Sequence, residues 1–147
     1  MYPLEVTKVA AALGGQRAIG VEVRSLGELH DAVERGLPRA VVRALAGAAA
    51  PQGDAEVRRR VEALVASPAT LKRSQRLSPA ASERAERLAR ITALARQALG
   101  DEAEAKTWLT EPHPLFGSRP PIEIAASDLG ARQVERVLHN IEHGLPV

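Results

Sequence analysis

The sequence predicts an all-α protein, a small N-terminal helix-turn-helix-like bundle over residues 1–76 followed by a second helical domain over residues 77–147. Three observations point there. Aromatic residues make up 2% of the chain, so a core must be built from its many Ala and aliphatic side chains, which favours close-packed helices over a sheet. Helix start and stop signals recur from Ser25 to Gly144. Only Ile19-Gly-Val-Glu-Val23 reads as a strand.

The first helix is predicted over 25–35. In Ser25-Leu-Gly-Glu28 the Ser hydroxyl takes the amide three residues on, the Glu returns to the Ser amide, and Gly36 offers a left-handed exit. Leu37-Pro38 opens a second helix with Val41, Val42 and Leu45 apolar, fading across Gly47 to Gly53. Asp54 caps a third, with Val57, Val61, Leu64 and Val65 on one face, and Ser67-Pro68 starts a short fourth from Ala69 to Gln75.

Ser78-Pro79 repeats that start signal ahead of the strongest helical pattern in the chain. Ala81, Ala85, Leu88, Ile91, Ala95, Ala98 and Leu99 form its apolar face, while Glu83/Arg87 and Glu86/Arg90 pair at i,i+4 on the side expected to be wet, and Gly100 ends it. Asp101 begins a short helix through Ala105, Trp108 and Leu109. Residues 110–121 (TEPHPLFGSRPP) hold four prolines, which forbid regular structure and mark a stiff loop. A short helix from Pro121 to Ala126 follows, then a last one from Ser127 to His143 that turns Leu129, Val134, Val137, Leu138 and Ile141 inward and stops at Gly144.

Composition excludes several classes. With 45% hydrophobic and 26% charged residues over 147 positions, the chain is too apolar for disorder, and its longest apolar run, Ala44 to Pro51, cannot span a bilayer. The apolar run Val9 to Leu13 near the N-terminus is broken by Gly14-Gly15 and Arg17 before it takes leader form. Without Cys there are no disulfides or thiolate sites, and the cytoplasm is the expected location. Residues 1–76 carry 12 Lys/Arg against 8 Asp/Glu, and residues 77–147 carry 8 against 10. A mildly basic front and a mildly acidic back suit two different partners.

His139-Asn-Ile-Glu142-His143 fits the inverted zinc-protease pattern, in which two His at i,i+4 ligate the metal and the Glu serves as base. That site needs a third ligand, and His30 and His113 bear no spacing relation to it. Polar residues near a helix C-terminus are the favoured reading. No nucleophile elbow, glycine-rich phosphate loop or paired-carboxylate arrangement appears, so neither an enzyme nor a cofactor is expected.

The helix from Asp54, the tight turn at Ala66-Ser67 and the helix after Pro68 have the order of a helix-turn-helix. Thr70, Lys72, Arg73 and Arg76 are its candidate base or phosphate contacts, with Arg58, Arg59 and Arg60 beside the backbone. A solvated basic face explains the same residues equally well. Trp108 and Phe116 bracket the proline loop, where Leu115, Phe116 and Ile122 form a rigid apolar anchor, and the tail Gly144-Leu-Pro-Val147 is short and apolar. Such a tail either frays or enters a partner's pocket.

The ordered series Leu77-Ser-Pro79, Glu83-Arg-Ala-Glu-Arg-Leu-Ala-Arg-Ile91, Ala98-Leu-Gly-Asp101, Ala105-Lys-Thr-Trp108-Leu109, Pro112-His-Pro-Leu115-Phe-Gly117, Arg119-Pro-Pro-Ile122 and Ile141-Glu-His-Gly144 resembles the Xre/MbcA/ParS antitoxin family. The resemblance covers Ser78 to Gly144; residues 37–77 resemble the family's helix-turn-helix more loosely, and 1–36 are not covered. It implies the non-enzymatic half of a type II toxin–antitoxin pair. Its partner would be a RES-domain toxin, NAD-degrading or ADP-ribosylating, whose active site is covered by the C-terminal segment. Toxin contact would then fall on Trp108, Pro114, Leu115, Phe116, Arg132, Glu135, Ile141, Glu142, His143, Gly144, Leu145, Pro146 and Val147. Operator DNA would be held by Arg58, Arg59, Thr70, Lys72, Arg73 and Arg76, and a homodimer within a larger toxin–antitoxin assembly is implied, with no membrane partner. The alternative is a stand-alone helix-turn-helix regulator of transcription.

Overall fold

A computed structural model describes residues 4–147; Met1 to Pro3, the start of the segment compared above with a leader, lie outside it. Among the described residues the chain is all helical. In order the helices are α1 (Val6–Ala12), α2 (Gly15–Ile19), α3 (Leu26–Arg35), α4 (Ala40–Ala49), α5 (Ala55–Val65), α6 (Pro68–Arg73), α7 (Pro79–Leu99), α8 (Glu102–Thr110), α9 (Pro121–Ile124) and α10 (Asp128–Glu142).

The axis of the molecule is α7. Its 21 residues are packed against by α1, α3, α4 and α5 from the N-terminal half and by α8, α9 and α10 from the C-terminal half. Alanine explains how one helix accommodates so many neighbours. Ala85, Ala89 and Ala95 lie at 0% exposure between Leu88 and Ile91, so partner helices approach closely while the two large side chains fill the gaps. Burying either large side chain stabilises the fold by about 2 kcal/mol. One continuous cluster of buried apolar residues runs from Val9 to Leu138 and includes residues on both sides of position 76.

Polar groups stitch this core where helices begin and end. Ser82, fully buried on α7, accepts the Leu37 amide at 2.8 Å, and the Leu77 amide donates to the Leu37 carbonyl at 2.8 Å. The Arg84 guanidinium donates twice to the Val65 carbonyl, at 2.9 and 3.1 Å, closing the C-terminus of α5. Arg87 donates to the Ala126 carbonyl at 2.8 Å, just before α10. There the chain is so tight that a Cβ at Gly130 would overlap the Ile124 carbonyl oxygen. Only glycine lets α10 start against α9.

Several sequence expectations are corrected. Residues 19–23 form no strand: Ile19 ends α2, Val23 follows in irregular chain, and both side chains drop into the helical core while Val21 stays 41% exposed. Helices α1 and α2 lie before Ser25, where no helix is expected, because runs of seven and five residues are too short for periodicity to register. At α3 the Ser25 hydroxyl accepts the Glu28 amide as predicted, but the Glu28 carboxylate returns to the Arg24 amide at 2.9 Å, one residue early. Helix α6 stops at Arg73, because the Ser74 hydroxyl donates to the Arg76 carbonyl at 2.6 Å and closes a turn instead.

Two corrections concern faces. Leu129 is 75% exposed, lying half a turn of rotation from Leu138, on the side of α10 that points away from α7. The expected wet side of α7 is only partly so: Glu83 stays exposed, while α10 packs beside Arg90, which faces both Glu86, at 3.8 Å as the i,i+4 spacing predicts, and Glu135, at 3.3 Å. The Arg90 Nε is buried and lacks hydrogen-bond alignment, so that attraction is Coulombic. Burial there pushes the Glu86 carboxyl above its ordinary range, against the opposing pull of Arg90 and Arg87.

Candidate functional site

Two surfaces carry the residues singled out from the sequence. The first is the C-terminal end of α10 and the tail beyond it. Val134 and Leu138 anchor α10 on the core, which leaves Ile141 and Glu142 half-buried and Gly144 to Val147 exposed, Leu145 at 50% and Val147 at 65%. The exit is built rather than frayed. Gly144 takes φ +65°, the Leu145 amide donates to the Asn140 carbonyl at 2.8 Å, and the Gly144 amide donates to Ile141 at 3.3 Å, together a Schellman closure. The Asn140 side-chain amide then donates to the Pro146 carbonyl at 3.1 Å and holds the tail back against its own helix. Sequence reasoning missed Asn140, whose signal is an amide side chain in the last turn ahead of a glycine stop.

The other residues assigned to this surface divide. Arg132 is exposed and paired with Asp128 at 3.2 Å, whereas Glu135 is half-buried and turned onto Arg90 of α7. His139 and His143 face each other with ring centroids 4.4 Å apart, and His143 Nε2 lies 3.8 Å from Glu142. Among the described residues no group of three or more His, Asp or Glu is arranged to hold a metal ion. The third ligand that the zinc pattern requires is therefore not placed beside this pair.

Trp108, His113 and Phe116 gather into one aromatic knot at the end of α8. Trp108 meets His113 at 5.8 Å and Phe116 at 6.3 Å, both edge-on, and His113 lies 5.4 Å from Phe116. The proline loop is more regular than expected. His113 Nδ1 accepts the Leu115 amide at 3.1 Å and caps a single 3-10 turn, Pro114–Phe116, and His113 and Arg119 form an isolated antiparallel bridge. The turn buries Phe116 at 5% exposure and leaves Leu115 at 44%, with Pro114 also outside. Phe116 is thus core, and Leu115 is the exposed apolar tip.

The second surface is α6. None of its residues is buried, Leu71 is only half-buried, and the Arg39 guanidinium braces it from α4 by donating to the Leu71 carbonyl at 3.2 Å. Thr70, Lys72 and Arg73 are exposed, as are Arg58 and Arg59 on α5. Thr70 Oγ1 accepts from the Ser67 hydroxyl at 2.9 Å and lies 3.5 Å from Arg73. Arg60 pairs with Glu56 at 3.2 Å, and Arg76 turns inward to donate to the Gly36 carbonyl at 2.7 Å, where it straps the connection before α4. An open cleft of about 620 Å³ lies beneath α6, with Arg39, Arg43 and Glu62 on its walls.

Residues 94–144 match the family described as the antitoxin Xre/MbcA/ParS C-terminal toxin-binding domain. The matched segment contains α8, the aromatic knot, α9, α10 and the glycine that turns the tail. Over 74 residues, 50% of this chain, the sequence is 35% identical to a protein of Pseudomonas putida called Antitoxin Xre. The chain spans about half the length of that relative, 46%. No described helix is long and apolar enough to cross a membrane.

Proposed function

We propose that this protein is the antitoxin of a type II toxin–antitoxin pair, and that it neutralises a RES-domain toxin by occlusion, with the segment from Ile141 to Val147 covering the toxin's active site. The observation that carries this reading is the coincidence of the 94–144 match with an exposed apolar tail already held in one conformation. A held tail surrenders little conformational entropy on docking, which raises affinity without further contact area. The chain's part in the chemistry is that of a plug: it excludes substrate from an active site that belongs to its partner.

The experiment is co-expression with a RES-domain toxin. Full-length chain should co-purify with the toxin in fixed stoichiometry and restore growth, whereas a chain lacking Leu145 to Val147 should bind but rescue poorly while melting at the same temperature. Full rescue by the truncated chain removes the tail from the mechanism.

A second role rests on α6, which offers Thr70, Lys72 and Arg73 to solvent on a lightly held helix. We propose that it contacts operator DNA, with Arg58 and Arg59 on the backbone, and that the chain represses its own promoter. Lys72→Ala with Arg73→Ala should abolish a gel shift on the upstream region and leave toxin rescue intact. A shift without any toxin partner would instead favour the stand-alone regulator.

A further inference from the structure

A shallow cleft of about 520 Å³ opens along the outer face of α8, between that helix and the end of α7. Its walls are Leu99, Ala103, Glu104, Thr107, Trp108 and Glu111. Glu104 and Trp108 stand at i and i+4 on α8, and Glu111 follows at its extended C-cap, so the cleft wall carries carboxylate, indole and carboxylate. No cation lines this cleft. The neighbouring Glu102 shows the contrast: it is paired with Arg96 and with Lys106, both at 3.4 Å, whereas the Glu104 and Glu111 carboxylates have no ion-pair partner among the described residues. The indole is fixed in place. Edge contacts to His113 and Phe116 hold it, so it forms a preset wall rather than a mobile cover.

We infer that this cleft is the receptor for an arginine side chain presented by the protein that the C-terminal domain binds. The inference rests on the toxin-binding reading for the identity of that protein. Its chemistry follows from the walls. A guanidinium is planar, stacks on indole, is weakly hydrated and offers donors in a fork that two flanking carboxylates accept, while an ammonium retains its water and matches the flat wall poorly. Leu99 and Ala103 receive the methylene stem. An acidic or phosphorylated ligand meets Glu104 and Glu111 as like charges. The rim is exposed, so the cleft takes a side chain offered by a facing surface and does not enclose a free small molecule. All six wall residues fall inside the 94–144 segment that matches the toxin-binding domain.

Trp108 is the one tryptophan of the chain, so tryptophan emission comes from a wall of this cleft. The full chain is titrated with the blocked pentapeptide Ala-Leu-Arg-Leu-Ala and, separately, with the same peptide carrying citrulline, the neutral isostere of arginine. The arginine peptide should change Trp108 emission saturably, and the citrulline peptide should need about fivefold more for the same response. Glu104→Gln with Glu111→Gln should remove that preference, and Glu102→Gln, outside the cleft, should retain it. Equal responses to the two peptides, no response to either, or a preference that survives the double change would overturn the inference. A chain that rescues toxin-expressing cells but shows no arginine preference sinks the cleft alone; a chain with the preference that does not bind the toxin sinks the toxin reading alone.

Discussion

Helices α6 and α10 both carry exposed residues that the proposed function assigns to a partner, yet they are held in different ways. The 15 residues of α10 bury Gly130, Ala131, Val134 and Leu138 against the core and end in a Schellman closure with Asn140 clasping the tail. The six residues of α6 include no fully buried side chain, only half-buried Leu71 resting on the core, and are held across the cleft by Arg39 on one carbonyl. The tail is fixed by hydrogen bonds to its own helix, whereas α6 rests on fewer buried contacts, which lowers local stability, so in the proposed function α6 surrenders more freedom on binding. Preorganisation, more than the exposed side chains, separates the proposed plug from the proposed DNA contact.

Removing the scaffold that both share should have the largest effect. Leu88→Ala deletes a fully buried side chain at the centre of α7 and should cost about 3 kcal/mol, read as a lower denaturant midpoint at unchanged slope. A loss under about 1 kcal/mol would mean that α7 is not the axis. Gly130→Ala acts on the α10 side alone, forcing α10 away from the Ile124 carbonyl, and should cost about 2 kcal/mol with a fall in toxin rescue while α6 is untouched. If α10 and α6 were equally loose, that change would be nearly silent.

Smaller effects test the two fastenings directly. Asn140→Ala and Arg39→Ala each remove one hydrogen bond, worth about 1 kcal/mol locally, so hydrogen exchange should quicken at 144–147 in the first case and at 68–73 in the second. Exchange that is already fast across 144–147 in the unaltered chain would refute the preorganised tail. The smallest effect is electrostatic. The folded pKa of Glu86 is raised, so its neutral form is favoured by the fold; its contribution is fully present below the unfolded value and is lost as pH rises through the folded one. Glu86→Gln should therefore gain stability relative to the parent on going from pH 4 to pH 7, measured as the difference in melting temperature. An opposite trend would mean that Arg90 and Arg87 outweigh burial.

Local chemistry made much of this legible in advance. Ser67-Pro68, Ser78-Pro79, Asp54, Asp101 and Ser127 each cap the helix expected of them, since capping needs only residues three apart in sequence. The motif series from Leu77 to Gly144 likewise announced the segment that matches the toxin-binding family. Contacts between distant residues were hidden. Glu86 and Arg90 look like an ordinary exposed pair until α10 covers them, and Asn140 looks like any polar residue until the chain turns back at Gly144.

The sequence by itself determined that the chain is helical, where its longer helices start and stop, and that its C-terminal half carries a toxin-binding pattern. Tertiary structure decided which faces those helices bury, that Ile19 and Val23 join a helical core instead of a strand, that Leu129 faces out, and that the tail is clasped by Asn140 while α6 rests on Leu71 and Arg39. The physical reason is range. Caps and turns are satisfied within a few residues, whereas burial depends on which surface another element happens to cover.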